Sequence, residues 1–502
     1  MTKRSLLLLI TLLYSVPIFS QDFEPASVRS YDSISLQNAL DMAFERNPAI
    51  EAAHYKILAG KRKQQAAIGM RFPQLSITGN YVHMGKNIAI DANHLKPSVV
   101  SSAKDLVASG LKDGIIPPSA APLIEGALSG LAGADWSINL QQKNFGIIAG
   151  ELTLPIFMGG RINIANRVAH IDRQIAEQQY DSTSNTLTTE VIERYFGLLV
   201  ASNAIEVREL LVEAMQNHLQ DAIIMEQSGI IARSERLFIE YKMAEAEREL
   251  QEAQLRQKTI AEALSFTLNT DFEHSYTPSS PMFFIATLPD VDYFKTQALN
   301  RNPQLAEIDL QRQLAKEDIR LKRAEFFPQI VALAGSSFYN YRVTPMFPRW
   351  AVGIGVELKL FNGLTREYNY AAACEQASMV EYLHQQARNE VLTLIESLYN
   401  GLRNCHNRIL SLNSSISFAE EYLHNKRIAF TEGLTTATDL TDAELNLSKA
   451  LIERIEAVYA FDVTLARLLQ AAGISDSFCS YMNAKTAKII EFNNQNSKYN
   501  EQ

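Results

Sequence analysis

Two aspartates near the C-terminal end of the chain have a spacing that suggests a shared chemical role. Asp439 and Asp442 are three residues apart at the start of a periodic apolar segment, and a helix would place both on one face. Carboxylates gathered at a narrow opening favour cations and repel anions. An acidic residue in the first turn of a helix also stabilises the helix dipole, which alone would explain one of the two.

No other group of residues has the spacing of a catalytic or metal-binding site. The nine histidines are scattered, without the spacing of metal ligands or a nearby cysteine pair. The sequence has no Walker-type glycine motif for phosphate and no serine in the context of a nucleophile elbow. We therefore predict that the protein is not an enzyme and uses no cofactor or metal.

The charge balance and the N-terminal segment limit the partners and the location. The formal net charge is −9 at neutral pH, which argues against a nucleic-acid partner. Lys3 and Arg4, followed by an apolar run over residues 6–14, predict a secretion signal over residues 1–20. An uncleaved anchor helix is the alternative, although the run is short for one.

The elements that must position the aspartate pair belong to a duplicated sequence. Asn47 returns as Asn302 at an offset of 255, and Gly159 returns as Gly363 at an offset of 204. The shorter offset then holds without a gap for Tyr195 with Tyr399, Gly197 with Gly401, Gly229 with Gly433, Ala246 with Ala450 and Leu264 with Leu468. Segments that tolerate no length change must share one rigid geometry. The offsets differ by 51, so the first copy carries an insertion of that size at about residues 85–135.

Long helices follow from the positions of proline and glycine. Residues 156–277 contain no proline, and neither do the residues after Pro348, as expected where helix interiors exclude it. Apolar residues of the second copy recur at steps of three and four: Leu383, Ala387, Val391, Leu394, Leu398, Leu402, Cys405, Ile409, Leu412, Ile416, Ala419, Leu423 and Phe430. This pattern predicts coiled-coil hairpins over residues 161–268 and 364–472. A soluble coiled-coil rod would show the same periodicity.

Shorter helices precede the strands in both copies. Ser35 is a candidate cap for a helix that runs to Arg46, breaks at Asn47 and resumes to about residue 71. The corresponding helix of the second copy is predicted over about residues 292–326, with its break at Asn302.

Between the helical parts the apolar period changes to two. Strands are predicted at about residues 75–84, 136–157, 329–340 and 350–361. In the last of these, one face is apolar and the other is small or charged, which suits a strand with lipid outside and water inside. The runs are long enough to cross a bilayer at a tilt. An ordinary sheet with one buried face is the alternative, and four strands cannot close a barrel.

The insertion at residues 85–135 is rich in Ala, Ser and Gly and contains four prolines. Outer-membrane barrels place their long loops on the extracellular side. We predict an external loop with short helices near residues 103–112 and 123–131. The alternative is an insert without a function.

The order of these elements resembles that of the TolC family of outer-membrane efflux proteins, over about residues 35–473. In both copies a helix is followed by two strands and a long helical hairpin. Residues 154–161 are similar to the family's strand-to-helix junction, and residues 433–443 are similar to its hairpin tip. The resemblance depends on the order and the spacing together.

The resemblance implies a mainly α-helical fold with a membrane β-barrel contribution. Three identical chains would each give four strands to one twelve-stranded barrel, and the helices would continue as a tunnel through the periplasm. It further implies a passive exit duct in the outer membrane, in contact with outer-membrane lipid, for a tripartite efflux or type I secretion system. A periplasmic adaptor and an inner-membrane pump would be the partners, and drugs, metals or secreted proteins the cargo.

The resemblance also implies roles for individual residues. It places Asp439 and Asp442 at an acidic pore constriction near the periplasmic entrance. The hairpin-tip residues expected to contact the adaptor are Gly229, Ile230, Gly433 and Leu434. The junctions between helices and strands are expected at Pro73, Pro155, Pro328, Gly159 and Gly363.

One part of the family pattern is not matched at the hairpin tip. The best-known member uses a Tyr and an Arg to hold neighbouring hairpins closed, and here Phe430 and Thr435 occupy those positions. Glu235 occupies the position of the partner carboxylate. We therefore expect other contacts to hold any closed state.

The predicted organisation is a first repeat over residues 35–270, a second over 290–473 and a polar tail over 474–502. The rival interpretation is a soluble periplasmic coiled-coil adaptor or scaffold. Such a protein has no need for four bilayer-length strands with aromatic ends. A porin for nutrient uptake is disfavoured because most of this chain is predicted to be helical.

Overall fold

The computed structural model describes residues 31–270, 275–346 and 348–489. The predicted signal segment, residues 1–20, and the end of the tail, residues 490–502, lie outside the described residues. The chain divides into two compact units. We call them the helical unit (Met1–Tyr55, Gln178–Ala306 and Gln386–Gln502) and the sheet unit (Lys56–Glu177 and Glu307–Gln385).

The described elements alternate between short strands and helices of very unequal length. The strands are β1 Tyr31–Ile34, β2 Gln74–His83, β3 Ile88–Asp91, β4 Ser137–Gln141, β5 Asn144–Met158, β6 Ser275–Pro278, β7 Phe283–Ile285, β8 Gln329–Tyr341, β9 Trp350–Glu357 and β10 Ala487–Ile489. The α-helices are α1 Leu36–Arg46, α2 Pro48–Gly69, α3 Lys96–Lys112, α4 Ala121–Gly133, α5 Arg161–Gln227, α6 Arg233–Thr267, α7 Val291–Arg301, α8 Pro303–Ala324, α9 Thr365–Thr431, α10 Ala437–Ala472 and α11 Phe478–Met482. In the described part of the chain, no helix is apolar over enough of its length to span a bilayer.

The sheet unit contains one antiparallel sheet in the order β2–β5–β8–β9. The segment expected as a single strand at residues 136–157 is two strands, because β4 pairs with β3 of the insertion and not with the main sheet. The strand expected to reach residue 361 ends at Glu357, since its partner β8 begins at Gln329 and the residue before that is a proline without an N–H. Pro155 lies inside β5, next to a register shift that accommodates it.

The insertion in the first copy forms a two-stranded ribbon, β3 with β4, that carries the helices α3 and α4. Both helices are longer than the short helices expected from the sequence. Leu128 is the buried apolar residue of α4, whereas Leu106 and Leu123 are exposed. The insertion is therefore folded, with little core of its own.

The long helices of the helical unit pack with a seven-residue repeat. In α9 the buried positions recur at Ile395, Leu402, Ile409, Ile416, Leu423 and Phe430. This spacing is the mark of coiled-coil packing. The predicted seam was wrong at Leu383 and Leu394, which are 47% and 48% exposed. Ile395, one residue further on, is buried instead, because burial depends on where the partner helix lies and not on the apolar pattern alone.

The same side-chain hydrogen bond occurs in both copies at the point where the short helices break. Asn47 Nδ2 donates to the carbonyl of Thr267 over 3.0 Å, and Asn302 Nδ2 donates to the carbonyl of Ala471 over 2.8 Å. The donors are related by the offset of 255 and the acceptors by the offset of 204. Ser35 caps α1 as predicted, accepting a hydrogen bond from the Asn38 N–H. The duplicated sequence thus makes duplicated contacts.

Candidate functional site

The two hairpin tips have the same backbone geometry. Gly229 and Gly433 end α5 and α9 with φ of +71° and +72°, a conformation that glycine adopts without steric cost. The N–H of Ile230 donates to the Met225 carbonyl, five residues back. The second tip repeats this bond from Leu434 to Ala429. Each helix therefore ends in a Schellman motif, which fixes the direction in which the tip leaves the helix.

The tips present apolar side chains to the outside of the chain. Ile230 is 68% exposed and Leu434 is 76% exposed. Each follows its left-handed glycine directly, so the motif that ends the helix also turns these side chains outward. Exposed apolar side chains at equivalent places in two repeats are typical of a contact surface.

Asp439 is engaged within its own hairpin. Its carboxylate accepts hydrogen bonds from the Thr435 hydroxyl at 2.8 Å and from the Thr436 N–H at 3.4 Å, and Lys426 Nζ lies 3.8 Å away. With Thr436 it completes a capping box at the start of α10. The hydrogen bonds from Thr435 and Thr436, and then the charge of Lys426, lower the pKa of Asp439. In the isolated chain, Asp439 therefore has the alternative role given above, which is to stabilise the start of a helix.

Asp442 is one turn further along α10 and is exposed. The hydrogen bond from Lys242 to Glu245 raises the pKa of Lys242 most, and the nearby charge of Asp442 adds to that effect. The two aspartates therefore lie on one face of α10 but differ in how accessible their carboxylates are. Asp439 is half-exposed and occupied by local donors, whereas Asp442 presents its carboxylate to solvent.

Four of the five predicted junction residues lie between a strand and a helix, whereas Pro155 lies inside β5, three residues before the strand ends. Pro73 immediately precedes β2, Pro328 immediately precedes β8, and Gly159 follows β5 with φ of +63°. A Cβ on Gly159 would lie 2.5 Å from the Ala324 carbonyl oxygen, so only glycine fits. Gly363 has φ of +71° but open space around it. These residues shape the chain path at the base of the sheet.

Sequence reasoning missed a buried cluster near the tips. Glu444 of α10 is 7% exposed, and its Oε1 accepts from Arg427 Nη2 at 2.7 Å and from Arg427 Nε at 3.2 Å. His218 Nε2 of α5 lies 3.5 Å from the same oxygen. Burial raises the pKa of Glu444, but His218 and Arg427 outweigh it and the pKa lies below its ordinary value. The available signal was a carboxylate in an apolar seam, between Leu440 and Leu447.

A second buried acid was also missed. Asp462 of α10 is fully buried, and its Oδ2 accepts from the Phe283 N–H at 3.4 Å. Burial raises the pKa of Asp462 well above its ordinary value, and the Phe283 N–H offsets this only in part. Burial therefore favours the protonated form of this acid.

Among the residues that the structure describes, no three acidic, histidine or cysteine side chains are grouped as metal ligands would be. The arrangement offers a rigid pair of hairpin tips, an acidic turn beside one of them and a sheet whose faces are exposed.

A model of the family described as outer membrane efflux protein matches residues 138–270 and 295–474, together more than half of the chain. The chain belongs to the outer membrane efflux protein family. The resemblance drawn from the order of the elements is thereby confirmed. So are the predicted location in the outer membrane and the prediction that the protein is not an enzyme.

Two named relatives are similar to this chain at low sequence identity. The chain is 23% identical over 313 residues to the alkaline protease secretion protein AprF of Pseudomonas aeruginosa, covering 60% of this chain and 64% of AprF. It is 23% identical over 345 residues to the probable outer membrane lipoprotein SilC of Salmonella typhimurium, covering 64% of this chain and 71% of SilC. The chain thus matches a little under two thirds of AprF.

The fold is shared over a longer stretch than the sequence similarity. The outer membrane protein VceC of Vibrio cholerae superposes with a TM-score of 0.65 at 15% identity, over 87% of this chain and 96% of VceC. The fold of this efflux family member is therefore that of the TolC-like outer-membrane channels, mostly helical with a modest sheet.

Proposed function

We propose that three copies of this chain form an outer-membrane exit duct for an efflux or secretion system. The observation that carries the proposal is the four-stranded sheet. Within the described part of the chain, the outer edges of β2 and β9 pair with no other strand. A sheet edge in hydrocarbon leaves backbone groups without partners, which is costly. Neighbouring copies would supply those partners.

The number of strands favours three copies over two. Two copies would give eight strands, and the interior of an eight-stranded barrel is filled by its own side chains. Three copies would give twelve strands and leave a wider lumen. Membership in a family of outer membrane efflux proteins supports a barrel through which exported substrates pass.

The exposed side chains of β9 support a lipid-facing surface. Val352, Ile354 and Val356 share one face of the strand and are 71%, 69% and 65% exposed. Ala351 points to the other face. A row of apolar side chains on one side and small residues on the other suits a strand between lipid and water.

The partners follow from the family and from the hairpin tips. AprF is named for the secretion of alkaline protease. Secreted proteins are therefore one candidate cargo class for this chain, and small exported molecules are the other. We assign adaptor contact to Ile230 and Leu434, because both are exposed apolar side chains at rigid tips. An adaptor would connect the duct to an inner-membrane pump that supplies the energy.

The acidic turn of α10 is the proposed pore constriction. In a trimer, Asp439 and Asp442 would each form a ring of three carboxylates, which would favour cations. Because Asp439 is already occupied by Thr435, Thr436 and Lys426, Asp442 carries more of the effect. We expect Asp442→Asn to lower cation selectivity in planar bilayers more than Asp439→Asn. Unchanged selectivity in the double variant would remove the ring role and leave the duct proposal intact.

The shared barrel is tested by placing a lysine on either face of β9. Ile354→Lys would put a charge into hydrocarbon at a cost of about 2–4 kcal/mol per copy. Ala351→Lys, on the opposite face, is the matched control. Membrane fractionation and light scattering of the detergent-extracted protein would follow assembly. We expect wild type and Ala351→Lys to give an outer-membrane species of three times the chain mass, and Ile354→Lys to give much less. Equal assembly of both variants, or a monomeric wild type, would contradict the shared barrel.

A further inference from the structure

A groove of about 430 Å³ lies in the sheet unit between α5 and α8. Its wall contains three cationic side chains, those of Arg167, Lys316 and Arg320, against the single carboxylate of Glu317. The two helices come from different copies of the duplicated sequence. The formal charge of the wall is therefore positive, which favours an anionic ligand over a cationic one.

A buried carboxylate fixes the two arginines of the groove. Glu317 is 5% exposed. Its Oε2 accepts a hydrogen bond from Arg167 Nε at 2.9 Å and lies 2.8 Å from Nη2 of the same side chain. Its Oε1 accepts from Nη1 of Arg320. Each oxygen thus holds one guanidinium group at the wall before any ligand arrives, and donors that are held in advance lose less side-chain entropy when they bind.

Lys316 adds a cation that the protein leaves unpaired. It is exposed and lies one helical turn from Arg320 on α8. It forms no ion pair with any residue that the structure describes. The amides of Gln174 and Gln313 line the same groove and can donate hydrogen bonds. A phosphate group combines negative charge with several strong acceptor oxygens, and arginine and lysine are the side chains that recognise it.

The charge of the sheet unit also favours an anionic partner. The whole chain has a formal charge of −9. The sheet unit, residues 56–177 and 307–385, contains 22 Lys and Arg against 17 Asp and Glu. Positive charge is thus concentrated in the unit that carries the four-stranded sheet, although the protein as a whole is acidic. Such a field raises the local concentration of anions.

The groove lies close to one end of the sheet. α5 begins at Arg161, shortly after β5, and Arg167 is about 9 Å along it. Arg320 is about 6 Å from the end of α8 at Ala324, which leads into β8. The head-group region of a bilayer is about 5–8 Å thick on each side of the hydrocarbon. With the sheet in hydrocarbon, the two arginines therefore lie at the depth of the head groups or just beyond it.

We propose that this groove binds a phosphate group. Arg167, Lys316 and Arg320 would donate hydrogen bonds to its oxygens. The position of the groove favours the phosphate of a phospholipid head group, and this choice of source rests on the proposed function. Free phosphate is the other source of the same chemistry. The bound group would connect helices of the two repeats beside the membrane.

Calorimetric titration of the full-length protein, extracted in an uncharged detergent, tests the proposal. The probes are dihexanoyl phosphatidic acid, dihexanoylglycerol, which has the same chains without the phosphate, and inorganic phosphate. We expect phosphatidic acid to bind about tenfold more tightly than dihexanoylglycerol, since one hydrogen bond between charged groups contributes a difference of that order. Equal affinities for these two compounds would overturn the proposal. Weaker binding of inorganic phosphate than of phosphatidic acid would support the lipid as the source, whereas equal binding would keep the phosphate site and remove the lipid source.

Two pairs of variants on α8 assign the binding to the groove. Lys316→Gln should weaken the binding of phosphatidic acid about fivefold, which is the contribution of one lysine near an anionic surface. Arg323→Gln is its matched control, because Arg323 is an exposed cation outside the groove wall. Gln313→Glu adds a carboxylate to the wall and should also weaken binding, and Gln311→Glu is the exposed control outside the wall. All four changes leave the buried Glu317 with both arginines, so the fold should be kept. Equal losses in a variant and its control would contradict the site.

Failure of the phosphate site and failure of the exit duct give different results. A monomeric protein that still prefers phosphatidic acid to dihexanoylglycerol would contradict the shared barrel and keep the phosphate site. A trimeric outer-membrane protein without this preference would keep the duct and overturn the phosphate site.

Discussion

Replacement of Gly473 by alanine should destabilise the helical unit far more than the same change at Gly433. Both glycines end long helices with φ of +72°. At Gly473 an added Cβ would lie 2.4 Å from the Arg301 carbonyl oxygen and 2.9 Å from the Asn302 nitrogen. At Gly433 nothing lies within 4 Å. The two variants therefore share the backbone strain and differ only in the contact.

The magnitude follows from these two contributions. A left-handed conformation costs an alanine roughly 1–2 kcal/mol, and this applies to both variants. At Gly473 the obstacle is backbone, so the end of α10 and the break between α7 and α8 must move apart, which adds about 1–3 kcal/mol. We expect about 1–2 kcal/mol for Gly433→Ala and about 2–5 kcal/mol for Gly473→Ala.

Thermal unfolding of the detergent-extracted protein, followed by circular dichroism at the helix band, measures the difference. One kcal/mol corresponds to roughly 2–4 °C in Tm for a domain of moderate size. Gly473→Ala should therefore lower Tm by roughly 2–12 °C more than Gly433→Ala does. Equal shifts would refute the view that Gly473 is required by the close approach of Arg301. The equivalent residue of the first copy, Asn269, already carries a side chain at φ of +51°.

Two further predictions concern buried polar groups. Because the pKa of Asp462 is raised in the folded state, the folded chain binds the proton more tightly than the unfolded chain does. The resulting contribution to the free energy of unfolding is present below about pH 4 and is lost as the pH rises through the pKa of the folded state. Asp462→Asn should therefore gain in Tm over wild type as the pH rises from 4 to 8, and a difference that does not change with pH would contradict this. Asn302→Ala removes a buried donor to Ala471 and the acceptor for two N–H groups at the start of α8, which should cost about 2–3 kcal/mol. Asn47→Ala, at the half-exposed equivalent, should cost about 1 kcal/mol, and a larger loss there would contradict the reasoning.

Much of the architecture could be predicted because it depends on residues that are neighbours in the chain. The N-cap at Ser35, the helix ends at Gly229 and Gly433 and the breaks before Pro48 and Pro303 are local signals. The constant offsets between the copies required equal geometry. The errors arose where the pairing of strands decided the structure. The segment expected as one strand divides into β4 and β5, because β4 pairs with a strand that the insertion supplies.

The candidate site was predictable only in part for the same reason. The capping role of Asp439 is readable from Thr436 three residues earlier. The cluster around Glu444 is not, because His218 is more than two hundred residues away in the sequence. A carboxylate in an apolar seam shows that a partner is needed, but it does not identify the partner.

The sequence by itself determined the duplicated order of helix, strands and hairpin, the lengths of the long helices and the family. These features follow from backbone conformations that glycine, proline and the apolar period impose locally. Only the tertiary structure decided that Ile395 rather than Leu394 lies in the seam, that Gly473 contacts Arg301 and that Glu444 pairs with Arg427. Burial, close approach and ion pairing depend on which distant segments meet, and that is settled by packing.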